Sequence, residues 1–151
     1  MKAAKIALII FLIFGLSRIG FCENITVTVA ADSTHPGAKA TVSLNQDLYY
    51  GGKNRIIFKV EGLKPDNVYT VWLAKASPSE PLTGLGDSPY LLNVDANLGA
   101  TYVAAVEAYK LNAWQSIKIM LHKDANPQNL GKDNLITVFT ISLKELLSGK
   151  E

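Results

Sequence analysis

The chain predicts an all-β protein, an antiparallel Greek-key sandwich of about eight short strands. Three observations lead there. Apolar and polar residues alternate with a period of two through most of the chain beyond residue 22. Clusters of Gly, Pro, Asn and Asp punctuate the alternating stretches. A capping signal for a helix occurs once, near the C-terminus. Period two sends successive side chains to opposite faces of a strand, so each alternating stretch buries one face and wets the other.

The first element, residues 1–22, stands outside the domain. Lys2 and Lys5 precede an apolar run from residue 6 to residue 16, followed by small residues and the lone Cys22. That is the layout of an export signal. The run falls short of the roughly 20 residues that a membrane-spanning helix needs. Cleavage after Ser17 and cleavage after Cys22 both meet the small-residue rule. Lipidation of Cys22 is a third outcome, opposed by Phe21 where a lipobox places a small residue. Residues 23–151 then read as one domain, exported to the periplasm or beyond the cell. Such a length buries enough surface to dispense with disulfides. Removal of Cys22 leaves no thiol.

The strands follow in order. Ile25, Val27 and Val29 alternate with Thr26, Thr28 and Ala30. Ala38, Ala40, Val42 and Leu44 alternate with Lys39, Thr41, Ser43 and Asn45. Ile56, Phe58 and Val60 alternate with Arg55, Ile57 and Lys59. His35-Pro36-Gly37, Gly51-Gly52 and Lys64-Pro65-Asp66-Asn67 are turn sequences between them. Five further strands are expected at 68–74, 90–94, 101–106, 114–121 and 135–142. The last is apolar on both faces, as a central strand would be. Asp95-Ala96-Asn97-Leu98-Gly99 reads as a hairpin loop with Gly99 or Asn97 at positive φ. Residues 104–113 are ambiguous, since their composition favours helix by propensity. Ser142-Leu143-Lys144-Glu145 is a capping box that opens a short C-terminal helix through Leu147, stopped by Gly149.

One segment resembles a known structural device. Gly62-Leu63-Lys64-Pro65-Asp66-Asn67-Val68-Tyr69-Thr70-Val71 is similar to the tyrosine corner of immunoglobulin-like and fibronectin type III domains. The resemblance implies an immunoglobulin-like sandwich in which Pro65 presets the turn and the Tyr69 hydroxyl satisfies a backbone carbonyl. More chain follows Tyr69 than in fibronectin type III domains, which implies a topology of its own. A longer resemblance runs through Tyr69-Thr70-Val71-Trp72-Leu73, Pro81-Leu82-Thr83-Gly84-Leu85-Gly86, Asp95-Ala96-Asn97-Leu98-Gly99 and residues 117–124. This string looks like a group of uncharacterised exported bacterial proteins. More loosely, it is similar to the extracytoplasmic domain of anti-sigma-K factors. The sigma-binding region and transmembrane helix of that family have no counterpart here. The resemblance therefore implies fold and compartment, not anti-sigma activity.

Charge and residue inventory narrow the chemistry. The formal net charge is +2, but Lys2, Lys5 and Arg18 of the 15 basic residues lie in the leader and none of the 13 acidic ones does, which leaves the domain at −1. Such a surface offers no electrostatic footprint for nucleic acid. Membrane contact is expected only if Cys22 is lipidated. His35 and His122, without a cysteine, fall short of a zinc or blue-copper ligand set, so no metal or other cofactor is expected. Asp95-x-Asn97-x-Gly99 has the opening of a calcium loop, yet the next acidic residue is Glu107. Gly84-Leu85-Gly86 lacks the following helix that cradles phosphate. No Gly-x-Ser-x-Gly elbow occurs, and Ser88, His122 and Asp124 form a catalytic set on paper alone. The chain is not expected to be an enzyme.

Aromatic residues give the binding signal. If Ile117, Ile119 and Leu121 face the core, then Trp114, Ser116, Lys118, Met120 and His122 share the opposite face, with Trp114 exposed near Tyr109. Tyr49-Tyr50 forms a second, loop-associated pair. Trp114, Tyr109, Tyr49, Tyr50 and His122 are the candidate ligand contacts, with His122 at a strand end near the surface. Exposed Trp and Tyr suit protein interfaces or stacking on sugars. The expectation is an exported, non-catalytic module that binds a protein or glycan in the cell envelope. The alternative is a periplasmic metal-handling protein that uses His122, Met120 and loop carboxylates.

Overall fold

The alternating stretches assemble into two antiparallel sheets packed face to face. The computed structural model describes residues 25–46, 53–75 and 82–148. The leader 1–22, Cys22, Tyr49, Tyr50, Gly51-Gly52 and Gly149 lie outside the described residues. Sheet one contains β1 (Ile25–Ala30), β2 (Lys39–Gln46) and β3 (Lys53–Glu61). The chain then crosses to sheet two for β4 (Val68–Ala74), β5 (Leu82–Gly84) and β6 (Leu91–Leu92). It returns to sheet one for β7 (Gly99–Glu107), makes a one-turn helix α1 (Ala108–Leu111), and finishes in sheet two with β8 (Ser116–His122) and β9 (Leu135–Ser142). Helix α2 (Leu143–Ser148) closes the described chain.

Strand order is β1-β2-β3-β7 in sheet one and β5-β4-β8-β9 in sheet two, with β6 also paired to β4. The runs β2-β3-β7 and β5-β4-β8-β9 follow the A-B-E and C′-C-F-G orders of an immunoglobulin domain. Strand β1 is added outside them. Between the sheets, Val42, Leu44, Ile56 and Phe58 meet Tyr69, Val71, Leu73, Ile117, Ile119, Phe139 and Ile141, all buried. On β3 the burial alternates without interruption from Lys53 to Glu61, as a strand with one wet face requires.

Tyr69 does form a corner, but at the β3–β4 crossing and with a different partner. Its hydroxyl oxygen accepts from the Lys64 N–H at 3.2 Å and from Asn67 Nδ2 at 3.2 Å. It lies 3.0 Å from His35 Nε2. The Thr34 hydroxyl donates to the Asp32 carboxylate, so Thr34 Oγ1 accepts from His35 Nδ1–H across 2.9 Å. That tautomer leaves Nε2 as the acceptor for the Tyr69 hydroxyl proton. The proton is thus committed to His35, and the oxygen is left to receive a backbone N–H instead of meeting a carbonyl.

Several expectations need correction. Strand β9 is an edge strand, not a central one. The register shifts between Ile119 and Met120, which pair with Phe139 and Thr137. Val138 is the residue left over, and its carbonyl accepts the Asp32 N–H at 2.9 Å. Both faces are apolar because the bulged strand abuts the end of β1 and because α2 buries Leu143 and Leu146 nearby. The Asp95–Gly99 loop is not a hairpin; it carries the chain from β6 in one sheet to β7 in the other. Leu98 takes the positive φ, 63°, while Asp95 Oδ1 accepts from the N–H groups of Asn97 and Gly99 at 2.8 and 3.0 Å. The ambiguous segment 104–113 is strand through Glu107, because β7 pairs with β3 from Gly99 to Glu107. It is helix for one turn beyond. Strand β5 went unpredicted, so the sandwich has nine strands among the described residues.

Candidate functional site

Where β7 of sheet one and β5 of sheet two part, a cleft of about 480 Å³ opens. Its floor is apolar, with Leu73, Leu85 and Val106, and its walls are Thr83-Gly84 on one side and Ala105 to Glu107 on the other. The rim carries Lys53, Glu107, Tyr109, Lys110 and Trp114. Local chain behaviour places each of them. Lys53 opens β3 opposite Glu107, the last residue of β7. There α1 turns the chain, held down by Leu111, which is fully buried. The Trp114 N–H then donates to the Leu111 carbonyl at 3.0 Å, and the Gln115 N–H to the Ala74 carbonyl at 3.0 Å, which leads the chain into β8.

The two aromatic residues differ in their support. Tyr109 is 68% exposed. Trp114 is half-buried against the core edge, with Lys75 Nζ 5.3 Å from its ring centroid. Lys110 Nζ lies 2.7 Å from Glu107 Oε2 and 5.8 Å from the Tyr109 ring centroid. The Glu107 carboxyl is held below its ordinary range, first by the Lys110 ammonium and then by the Tyr109 hydroxyl. The same contacts raise Lys110 and Tyr109, each chiefly through Glu107. The rim therefore presents the Glu107 carboxylate locked to the Lys110 ammonium, with Lys53 across the ladder from Glu107.

Gly84-Leu85-Gly86 has a packing explanation. A Cβ on Gly84 would fall inside the Tyr90 ring, which stands edge-on to Trp72 at 5.1 Å. Leu85 is buried and its carbonyl accepts from the Tyr102 hydroxyl. Gly86, at φ +93°, lies where any side chain would strike that hydroxyl. Burial pushes the Tyr102 hydroxyl up to about 12, with Asp87 and Tyr90 adding to the shift. The motif thus pins β5 to β7 at the back of the cleft.

His122 is placed elsewhere. It is buried, 2% exposed, not a surface strand end. Its Nε2 lies 2.7 Å from Thr70 Oγ1, which in turn accepts from Trp72 Nε1 at 2.6 Å. Burial lowers its pKa, against opposition from the chain at Asn126 and Asn129 and from Asp124. The neighbouring Met120 is 7% exposed. The outer face of sheet two is therefore covered at Thr70, Trp72, Met120 and His122, which its alternating pattern did not announce. Asp124 turns its carboxylate into its own loop, accepting from the Asn126 N–H at 2.9 Å and from Asn129 Nδ2 at 2.6 Å. Neither His122 Nε2 nor the Asp124 carboxylate is bonded to Ser88. Among the described residues, no group of three or more His, Cys, Asp or Glu is arranged to hold a metal ion.

Of the five candidates from sequence, Tyr109 and Trp114 share the cleft, His122 does not, and Tyr49 and Tyr50 lie outside the described residues. Lys53, Thr83, Glu107 and Lys110 were missed. The i,i+3 spacing of Glu107 and Lys110 was the available signal, useful once the chain is known to turn helical there. No family model, curated protein or solved structure matches the chain.

Proposed function

We propose that this is an exported, non-catalytic binding module whose cleft holds an acidic saccharide of the cell envelope. The observation that carries the reading is the pairing of Tyr109 and Trp114 on the rim of one open cleft, beside a carboxylate and ammonium groups. Aromatic faces stack on the apolar faces of sugar rings, and charged or hydroxyl side chains take the ring hydroxyls. Lys53 and Lys110 outnumber Glu107 in the lining, which favours a sugar that bears a carboxylate. Export rests on the basic, apolar and small-residue layout of residues 1–22.

Calorimetric titration with uronate-containing oligosaccharides tests this, with neutral oligosaccharides of equal length as the comparison. The acidic series is expected to bind more tightly. Tyr109→Ala should weaken it about tenfold, the equivalent of roughly 1.4 kcal/mol, at unchanged melting temperature. Equal binding by wild type and Tyr109→Ala, or no binding of either series, removes the proposal.

A further inference from the structure

We propose that a second copy of this chain docks along the free edge of β7, pairing strand to strand about a two-fold axis through Val103. β7 is nine residues long and ends sheet one. Its pairing with β3 runs without a register shift from Gly99 to Glu107. In an antiparallel ladder, alternate residues direct N–H and C=O away from the one neighbour they have. Among the described residues, no other backbone group takes up those between Ala100 and Val106. Edge strands that stay single are blunted by lysine, proline, bulges or brevity. β7, with the sequence GATYVAAVE, contains neither lysine nor proline. The other edges are short or covered: β5 and β6 span three and two residues, and the β1 and β9 edges lie against each other and against α2, with the β9 bulge carbonyl taken by Asp32.

Two features select a second copy as the occupant. Val103 is 54% exposed and sits at the midpoint of Gly99–Glu107, flanked on the same face by exposed Thr101 and Ala105. A two-fold axis there sets Val103 against its own counterpart and Thr101 against Ala105, an uncharged and self-complementary row. The ends of the strand carry opposite charge. Glu61 pairs with Gly99, whose N–H is held by Asp95, while Lys53 pairs with Glu107, next to Lys110. Antiparallel docking sets the Glu61 and Asp95 end of one copy against the Lys53 and Lys110 end of the other. It also holds the two Glu107 positions about 27 Å apart, from a rise near 3.4 Å per residue.

Site-specific cross-linking tests the pairing. Facing residues in an antiparallel ladder have Cα atoms about 4.5 or 5.5 Å apart, and either spacing admits a disulfide. In a Cys22→Ser background, Val103→Cys should oxidise to a covalent dimer at least tenfold faster than Lys144→Cys, an exposed position on α2. Sedimentation equilibrium of the wild-type protein should show a monomer–dimer equilibrium, and Val103→Lys should abolish the dimer while its far-ultraviolet circular dichroism stays that of the folded wild type. Equal cross-linking rates at residues 103 and 144, a monomer at every concentration, or a dimer that persists in Val103→Lys overturns the proposal. So does copurification of an extended peptide on β7 in place of a second copy.

Discussion

Tyr69 carries more of the structure than its position at a turn suggests. Its hydroxyl joins the Lys64 N–H and the Asn67 amide to His35, and through Thr34 to Asp32. Tyr69→Phe keeps the ring packing and leaves the Lys64 N–H, the Asn67 amide and the buried His35 imidazole nitrogen without this partner. A loss of about 1–3 kcal/mol is expected from urea unfolding. The same chain is sensitive to acid. Burial, and secondarily the Lys64 charge, lower the His35 pKa below 6.5, while Asp32 works in the other direction. Burial also lowers the pKa of His122. The unfolded chain therefore binds more protons than the folded one below about pH 6.5. The contribution is fully present above that value and is lost as pH falls through the depressed folded values. Melting temperature should fall as pH drops below about 6.5, and the fall should be smaller in His35→Gln. A flat profile in wild type would contradict the relay.

At the scale of elements, α1 depends on one anchor. Its four residues are too few for a helix to persist alone, and Leu111 is its buried side chain. Leu111→Ala is expected to cost about 2–5 kcal/mol in chemical denaturation. It should also lower saccharide affinity, because Tyr109, Lys110 and Trp114 flank the anchor. Legibility in the sequence divides along similar lines. Strands with one wet face, such as β1, β2 and β3, were readable because their periodicity of two reports burial directly. Strand β9 was misplaced in the sheet because a bulge at Val138 and the cover from α2 bury both faces of an edge. Residues 104–113 were unresolved because the helix preference of their alanines competes with pairing to β3, which local sequence does not contain. Of the site, the two aromatics were visible as residue types. The charged partners were not, since a fold-level crossing brings Lys53 to Glu107.

For the whole molecule, an asymmetry between the two open sides of the sandwich matters most. On one side β1, β9 and α2 close the gap with Asp32, Leu143 and Leu146. On the other, β7 and β5 are joined through Tyr102 and Leu85, and beyond that bond they part around the cleft. Binding and self-association are both assigned to that second side. The near-neutral charge of residues 23–151 leaves recognition to this local chemistry and gives no general field for steering ligands.

Nitrogen-15 NMR titration of the protein with a uronate oligosaccharide tests the account most directly. Amide shifts are expected to concentrate in residues 83–86 and 105–114, with the Trp114 indole signal moving and the buried Trp72 indole unmoved. Shifts centred on the 32–38 and 64–69 corner, or none at millimolar ligand, would contradict it.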